Sequence, residues 1–151
     1  MPNMSVSERP EKSLAWNLHV ELASRISAVR LGPDEGLLSE ALSSLYQVFT
    51  EARRALAEHP PERSLTSDSL HQVVFRLLND GLRPFLAKWH PLLDAHLERR
   101  PSRASQFEHE RAWDQAGQLR AELAELQVLL RDATERLAEL AGAGSLLMAV
   151  R

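Results

Sequence analysis

Between Ala112 and Leu140 the apolar residues recur at alternating intervals of four and three: Ala112, Ala116, Leu119, Leu123, Leu126, Leu130, Ala133, Leu137 and Leu140. A repeat averaging 3.5 residues keeps one stripe of a helix facing a partner, as in coiled-coil packing. A chain that carries such a seam is committed to packing helix on helix, and three further segments supply the partners. From about 11 to 31, Leu14, Leu18, Leu22, Ile26 and Val29 share one helical face, and Gly32-Pro33 stops the run. From about 34 to 58, Leu38, Leu42, Leu45, Phe49, Ala52 and Leu56 do the same, ahead of Pro60-Pro61.

The third segment opens at Ser69-x-x-Gln72 or one turn earlier at Thr66, and Arg99-Arg100-Pro101 closes it. Its apolar face includes Leu70, Val74, Leu78, Phe85, Trp89 and Leu93, interrupted by Pro84 and Pro91. Each proline removes an intrahelical bond and crowds the carbonyl four residues back, which predicts a bent or broken rod. The fourth segment opens at a second capping box, Ser105-x-x-Glu108, and runs unbroken to Gly142. The pattern predicts an all-α chain, an antiparallel up-down-up-down four-helix bundle with a longer, Pro-kinked third helix and a long fourth. Residues 1–10 read as a flexible N-terminus, 11–141 as a single domain, and 142–151 as an apolar C-terminal tail.

Registration follows from the turns. Folding the third and fourth helices back about Pro101 sets Trp89 level with Trp113, within about two helix diameters, roughly 20 Å. Folding the second and third about Arg63 sets the start of the second helix near residue 91. The four-helix section then ends there, and a two-helix tip over 92–111 projects alone. That tip concentrates Arg99, Arg100, Arg103 and Phe107, with His90, His96 and His109 at or beside it. The fourth helix behind it is acidic.

Composition narrows the chemistry. Leu and Ala fill 27 and 19 of the 151 positions and aromatics only 5%, which disfavours a sheet built on β-branched and aromatic strands. With no cysteine, disulfides, thiolate zinc sites and a Cys nucleophile are excluded. A net charge of −3 and no interleaving of basic with aromatic residues argue against nucleic acid. No run of about 20 apolar residues spans a bilayer. The opening residues lack the apolar core of a secretory signal, so the expected location is the cytoplasm.

Catalytic and metal motifs are sparse. A di-iron bundle needs inward Glu-x-x-His pairs; only Asp68-x-x-His71 approximates one, and it sits at a helix start. His90, His96 and His109 form a conceivable three-histidine site across the turn, against a reading of His109 as a solvated first-turn residue. No Gly-x-Ser-x-Gly or phosphate-binding glycine loop occurs, and no cofactor is implied. The most unusual stretch, 79–93, holds Gly81, Pro84 and Pro91 in a helical pattern. It suggests either a bent helix presenting Arg83, Lys88 and His90 to a small ligand or nucleotide, or a kink that wraps the rod around shorter neighbours.

The segments Leu-Ala-Trp-Asn-Leu-His-Val-Glu-Leu (14–22), Glu-Ala-Leu-Ser-Ser-Leu-Tyr (40–46), Leu-Arg-Pro-Phe-Leu-Ala-Lys-Trp-His-Pro-Leu-Leu (82–93) and Glu-His-Glu-Arg-Ala-Trp (108–113) resemble a family of small all-helical bacterial proteins. The resemblance covers about 14 to 142. It implies an accessory subunit accompanying conflict or antiviral defence systems, and it brings no catalytic residue. The expectation is a protein-binding adaptor or regulatory subunit, with the tip (Trp89, His90, His96, Arg99, Arg100, Arg103, Phe107) or the apolar C-terminal tail meeting the partner. A second copy docking along the 112–140 seam is the other expected partner, and a small-ligand or nucleotide sensor using Arg83, Lys88 and His90 the alternative function.

Overall fold

The structure, a computed structural model, describes residues 8–25, 32, 35–61 and 68–147. Every regular element among them is helical: α1 (Glu8–Ala23), α2 (Leu38–Glu58), α3 (Leu70–Arg76), a π turn (Leu77–Leu82), α4 (Arg83–Glu98), α5 (Gln106–Arg111) and α6 (Ala116–Leu140). α1 packs on α6 and α2, while α3, the π turn and α4 pack between α2 and α6. No described helix is long and apolar enough to cross a membrane. Ile26 and Val29, the expected end of the first helix, the Thr66 start, residues 1–7 of the N-terminus expected to be flexible and the tail beyond Leu147 fall outside the described residues, while 8–10, expected to be flexible too, open α1.

The third segment is not broken at its prolines. α3, the π turn and α4 follow one another without interruption. The π turn widens the ladder just ahead of Pro84, and the Arg83 N–H reaches back five residues to the Leu78 carbonyl. Pro84 follows at the second position of α4, directly after the widened turn, which gives its ring room against the preceding carbonyls. Pro91 lies on the exposed side of α4, as does Ala87, so the carbonyl freed there can turn to water. Gly81 sits where the π turn crosses α6: a Cβ on it would come 3.3 Å from Leu126 Cδ1.

The fourth segment, by contrast, is broken. Ser105 caps α5 as expected, its hydroxyl accepting from Glu108 N at 3.1 Å. The chain leaves the helix at Ala112 and re-enters it at Ala116, and Trp113 between them is buried while Ala112 is exposed. No proline or glycine dictates the break. It lies where Glu110 is drawn toward α2 and Trp113 toward Trp89. Most of the rest of the seam is buried: Leu119, Leu130 and Leu137 are inside the core with Leu123 and Leu126, while Ala133 and Leu140 are half-buried. It packs on α1 and the π turn of its own chain, so most of the 112–140 stripe expected to meet a second copy is already covered. Gly142 ends α6 at φ 69°, with Ala143 N donating to Ala138 O and Gly142 N to Glu139 O, the paired bonds of a left-handed helix stop.

The hairpin about Pro101 registers as expected. The Trp89 and Trp113 ring centroids are 6.0 Å apart, edge to face at 87°. The α2–α4 register is displaced from expectation, because Tyr46, well inside α2, is the residue beside His90 (5.9 Å between rings). The start of α2 therefore lies roughly 12 Å further along, opposite α5. The turn consumes more chain than a tight pivot at Arg63, since α2 ends at Glu58 and α3 starts only at Leu70. As a result 92–111 does not project alone: α5 packs on α4 and bonds to α2.

The end of the chain is tied down by a histidine. His19, fully buried and stacked on Trp16, donates from Nδ1 to the Thr134 carbonyl at 2.7 Å and accepts at Nε2 from Leu146 N at 3.0 Å. Leu147, part of the expected partner-binding tail, is thereby folded into the core. His19→Phe keeps the ring stack but strands the Leu146 N–H, which costs about 2 kcal/mol. Urea unfolding should read that loss, and hydrogen exchange should show the Leu146 amide deprotected.

Candidate functional site

The end of α4 and the last turn of the short α5 meet through two histidines. Their rings are 3.8 Å apart and parallel to within 5°. His96 Nε2 donates to the His109 carbonyl at 2.7 Å, and His109 Nε2 donates to the His96 carbonyl at 2.6 Å. A carbonyl only accepts, so each ring carries its proton on Nε2. His96 is also nearly parallel to Trp113, at 5.2 Å and 21°, and Trp113 in turn meets Trp89. Four rings thus join the two limbs of the hairpin, each aromatic contact worth about 0.5–1.5 kcal/mol beyond its burial. His109 is not the solvated first-turn residue that its charged neighbours suggest.

Glu110 ties this corner to α2. α2 begins behind Leu37, which has no side chain able to cap it. Glu110, 2% exposed, accepts from Leu38 N at 2.6 Å and from Ser39 N at 3.4 Å. Gln106 supports it, donating to Ser39 Oγ at 2.7 Å and to Glu110 Oε2 at 3.1 Å. A carboxylate at the positive end of a helix satisfies open N–H groups and the macrodipole together.

The expected partner-binding residues divide accordingly. Trp89 is fully buried and offers no surface to a partner, and His96 is half-buried and engaged in the ring stack. Phe107 is half-buried beneath Arg111, whose guanidinium lies 5.4 Å from its ring centre. Arg99, Arg100 and Arg103 are exposed on the turn between α4 and α5, and none forms an ion pair among the described residues. Arg100 reaches only the Ala104 carbonyl, at 3.4 Å.

The expected ligand-binding residues point to different neighbours. Arg83 lies over the Phe49 ring of α2 at 5.4 Å, and His90 lies beside Tyr46 of α2. Lys88 turns to α6, with Nζ 2.9 Å from both Glu122 oxygens and 4.7 Å from the Trp89 ring centre. The three do not converge on one site. Nor does His90 join His96 and His109, and among the described residues no group of three His, Asp or Glu is placed to hold a metal.

No family model, curated protein or solved structure matches the chain.

Glu110 is the residue that sequence reasoning missed, and His109, considered there for a three-histidine site or as a solvated residue, pairs with His96 instead. One signal was present: a helix opening at Leu37-Leu38 without Ser, Thr, Asp or Asn needs its N–H groups satisfied from elsewhere. Glu110→Ala leaves the two N–H groups of α2 buried and unpaired and should cost about 2–3 kcal/mol in urea unfolding. Glu110→Gln keeps an acceptor but loses the charge at the helix terminus, so about 1 kcal/mol is expected. An undiminished stability of Glu110→Gln would show that the charge contributes nothing, and a loss equal to that of Glu110→Ala that a neutral acceptor does not serve.

Proposed function

We propose that the protein is a protein-binding module, an antiparallel four-helix bundle whose arginine corner grips an acidic segment of a partner. On the resemblance above, it acts as an adaptor or regulatory subunit of a bacterial defence system in the cytoplasm. The observation that carries the reading is the state of Arg99, Arg100 and Arg103. Three exposed guanidiniums sit on one short turn with no carboxylate of the described chain engaging them. The limbs on either side are pinned by the His96–His109 exchange and by Glu110 on α2.

A pinned turn loses little further freedom on binding, which favours contact there over a loose loop. Guanidinium groups match carboxylates two bonds at a time, and aligned pairs of this kind bind more tightly than single charges. Contacts of exposed charges are screened within about 8 Å at physiological salt, so the interaction should weaken as salt rises.

The triple variant Arg99→Glu/Arg100→Glu/Arg103→Glu tests the corner. All three side chains are exposed, so the thermal midpoint should stay close to that of the unmodified protein. Partner recovered in pull-downs should fall at least about tenfold, a difference of about 1.4 kcal/mol. Unchanged recovery rules out the corner as the contact surface.

A further inference from the structure

A second surface lies on the opposite side of α4 from α2, where the π turn crosses α6. Two open cavities of about 400 and 320 Å³ share Asp80, Gly81 and Leu129 in their walls, so they join into one trough. It runs from Val73 to Lys88 along α3, the π turn and α4, and from Arg136 to Glu122 along α6. At 1.5 Å per residue that is about 22 Å, four turns of helix.

Its floor is apolar, formed by Leu77, Gly81, Leu126, Leu129 and Ala133. Gly81 lies at mid-length with Leu126 packed close against its backbone, and Leu129 stands beside it 53% exposed, in a molecule that otherwise buries most of its leucines. π turns, rare in helices, are frequent at functional sites. The rims at mid-length carry Asp80 on one side and Glu125 and Asp132 on the other. None of these three carboxylates has an ion pair among the described residues.

We infer that this trough takes an amphipathic helix of a partner protein, with an apolar stripe on the Gly81–Leu129 floor and Lys or Arg flanks against Asp80, Glu125 and Asp132. A groove between two helices suits a third helix, read by anchors at i, i+3/4 and i+7. The unpaired carboxylates decide the sign of its flanks. They also disfavour a second copy of this chain: a two-fold axis at Leu129 would set Glu125 against Asp132. The surface is separate from the arginine corner, and its test leaves Arg99, Arg100 and Arg103 untouched.

Three fluorescent peptides of about 18 residues serve as probes: a Leu/Lys/Ala helix with one leucine stripe, the same composition with the leucines scrambled, and a Leu/Glu/Ala counterpart. Fluorescence polarisation should show the first binding at least about tenfold more tightly than the other two. Leu129→Arg should reduce its affinity at least about tenfold with the thermal midpoint preserved, because Leu129 is exposed. Asp80→Lys/Asp132→Lys should reverse the preference toward the Leu/Glu/Ala peptide. Equal binding of the scrambled peptide, or undiminished binding to Leu129→Arg, overturns the proposal. So does a light-scattering mass that is dimeric for the unmodified chain and monomeric for Leu129→Arg, since the occupant is then a second copy.

Discussion

Trp89 is fully buried, and the Trp113 ring that meets it edge-on determines where the returning limb must run. Removing a tryptophan's surface of roughly 150–250 Å² from water is worth about 4–6 kcal/mol. That is comparable with the cost of the two prolines at roughly 3 kcal/mol each in a helix interior, and the π turn ahead of Pro84 lowers that cost. The rod can therefore carry its prolines and remain one helix. With Trp89 in place, Gly81 lies against Leu126, Lys88 reaches Glu122, and His96 stacks on His109, all in one antiparallel register.

Polar groups complete what the apolar core begins. The core holds the faces of the helices together, while three buried or half-buried polar groups hold their ends. Glu110 closes the open start of α2, His19 holds the turn at Leu146, and the histidine exchange closes the α4–α5 turn. Glu110 replaces water at N–H groups that a helix terminus cannot satisfy itself, and the histidines bond backbone groups of segments distant in the chain. These ties leave the exposed arginines on a rigid corner and the unpaired carboxylates on a rigid trough. The two proposed contact surfaces thus carry opposite charge on different faces of one body.

Much of the architecture was legible in the sequence because it depends on neighbours close along the chain. Helical periodicity located the helices, Ser105 and Gly142 marked a start and a stop, and the short turn at Pro101 allowed Trp89 and Trp113 to be paired by counting. The α2–α4 register was not legible, because the chain between Glu58 and Leu70 is long enough to allow several. Nor was the break at 112–115, where no local residue type demands it. The candidate site was half legible. The arginines stood out as a cluster, but the burial of Trp89 and the engagement of His96 depended on the opposite limb.

By itself the sequence determined that this chain is helical, which stripe of its last helix turns inward, and where its charges gather. Those properties follow from side-chain spacing and backbone preference, which are local. Tertiary structure decided that the seam is spent inside one chain, that Glu110 caps a helix 72 positions away, and that Arg83, Lys88 and His90 face different neighbours. An open helix start must have its N–H groups met from elsewhere, and a buried ring must have neighbours packed against it. Which residue meets that need is settled only when distant segments come into register.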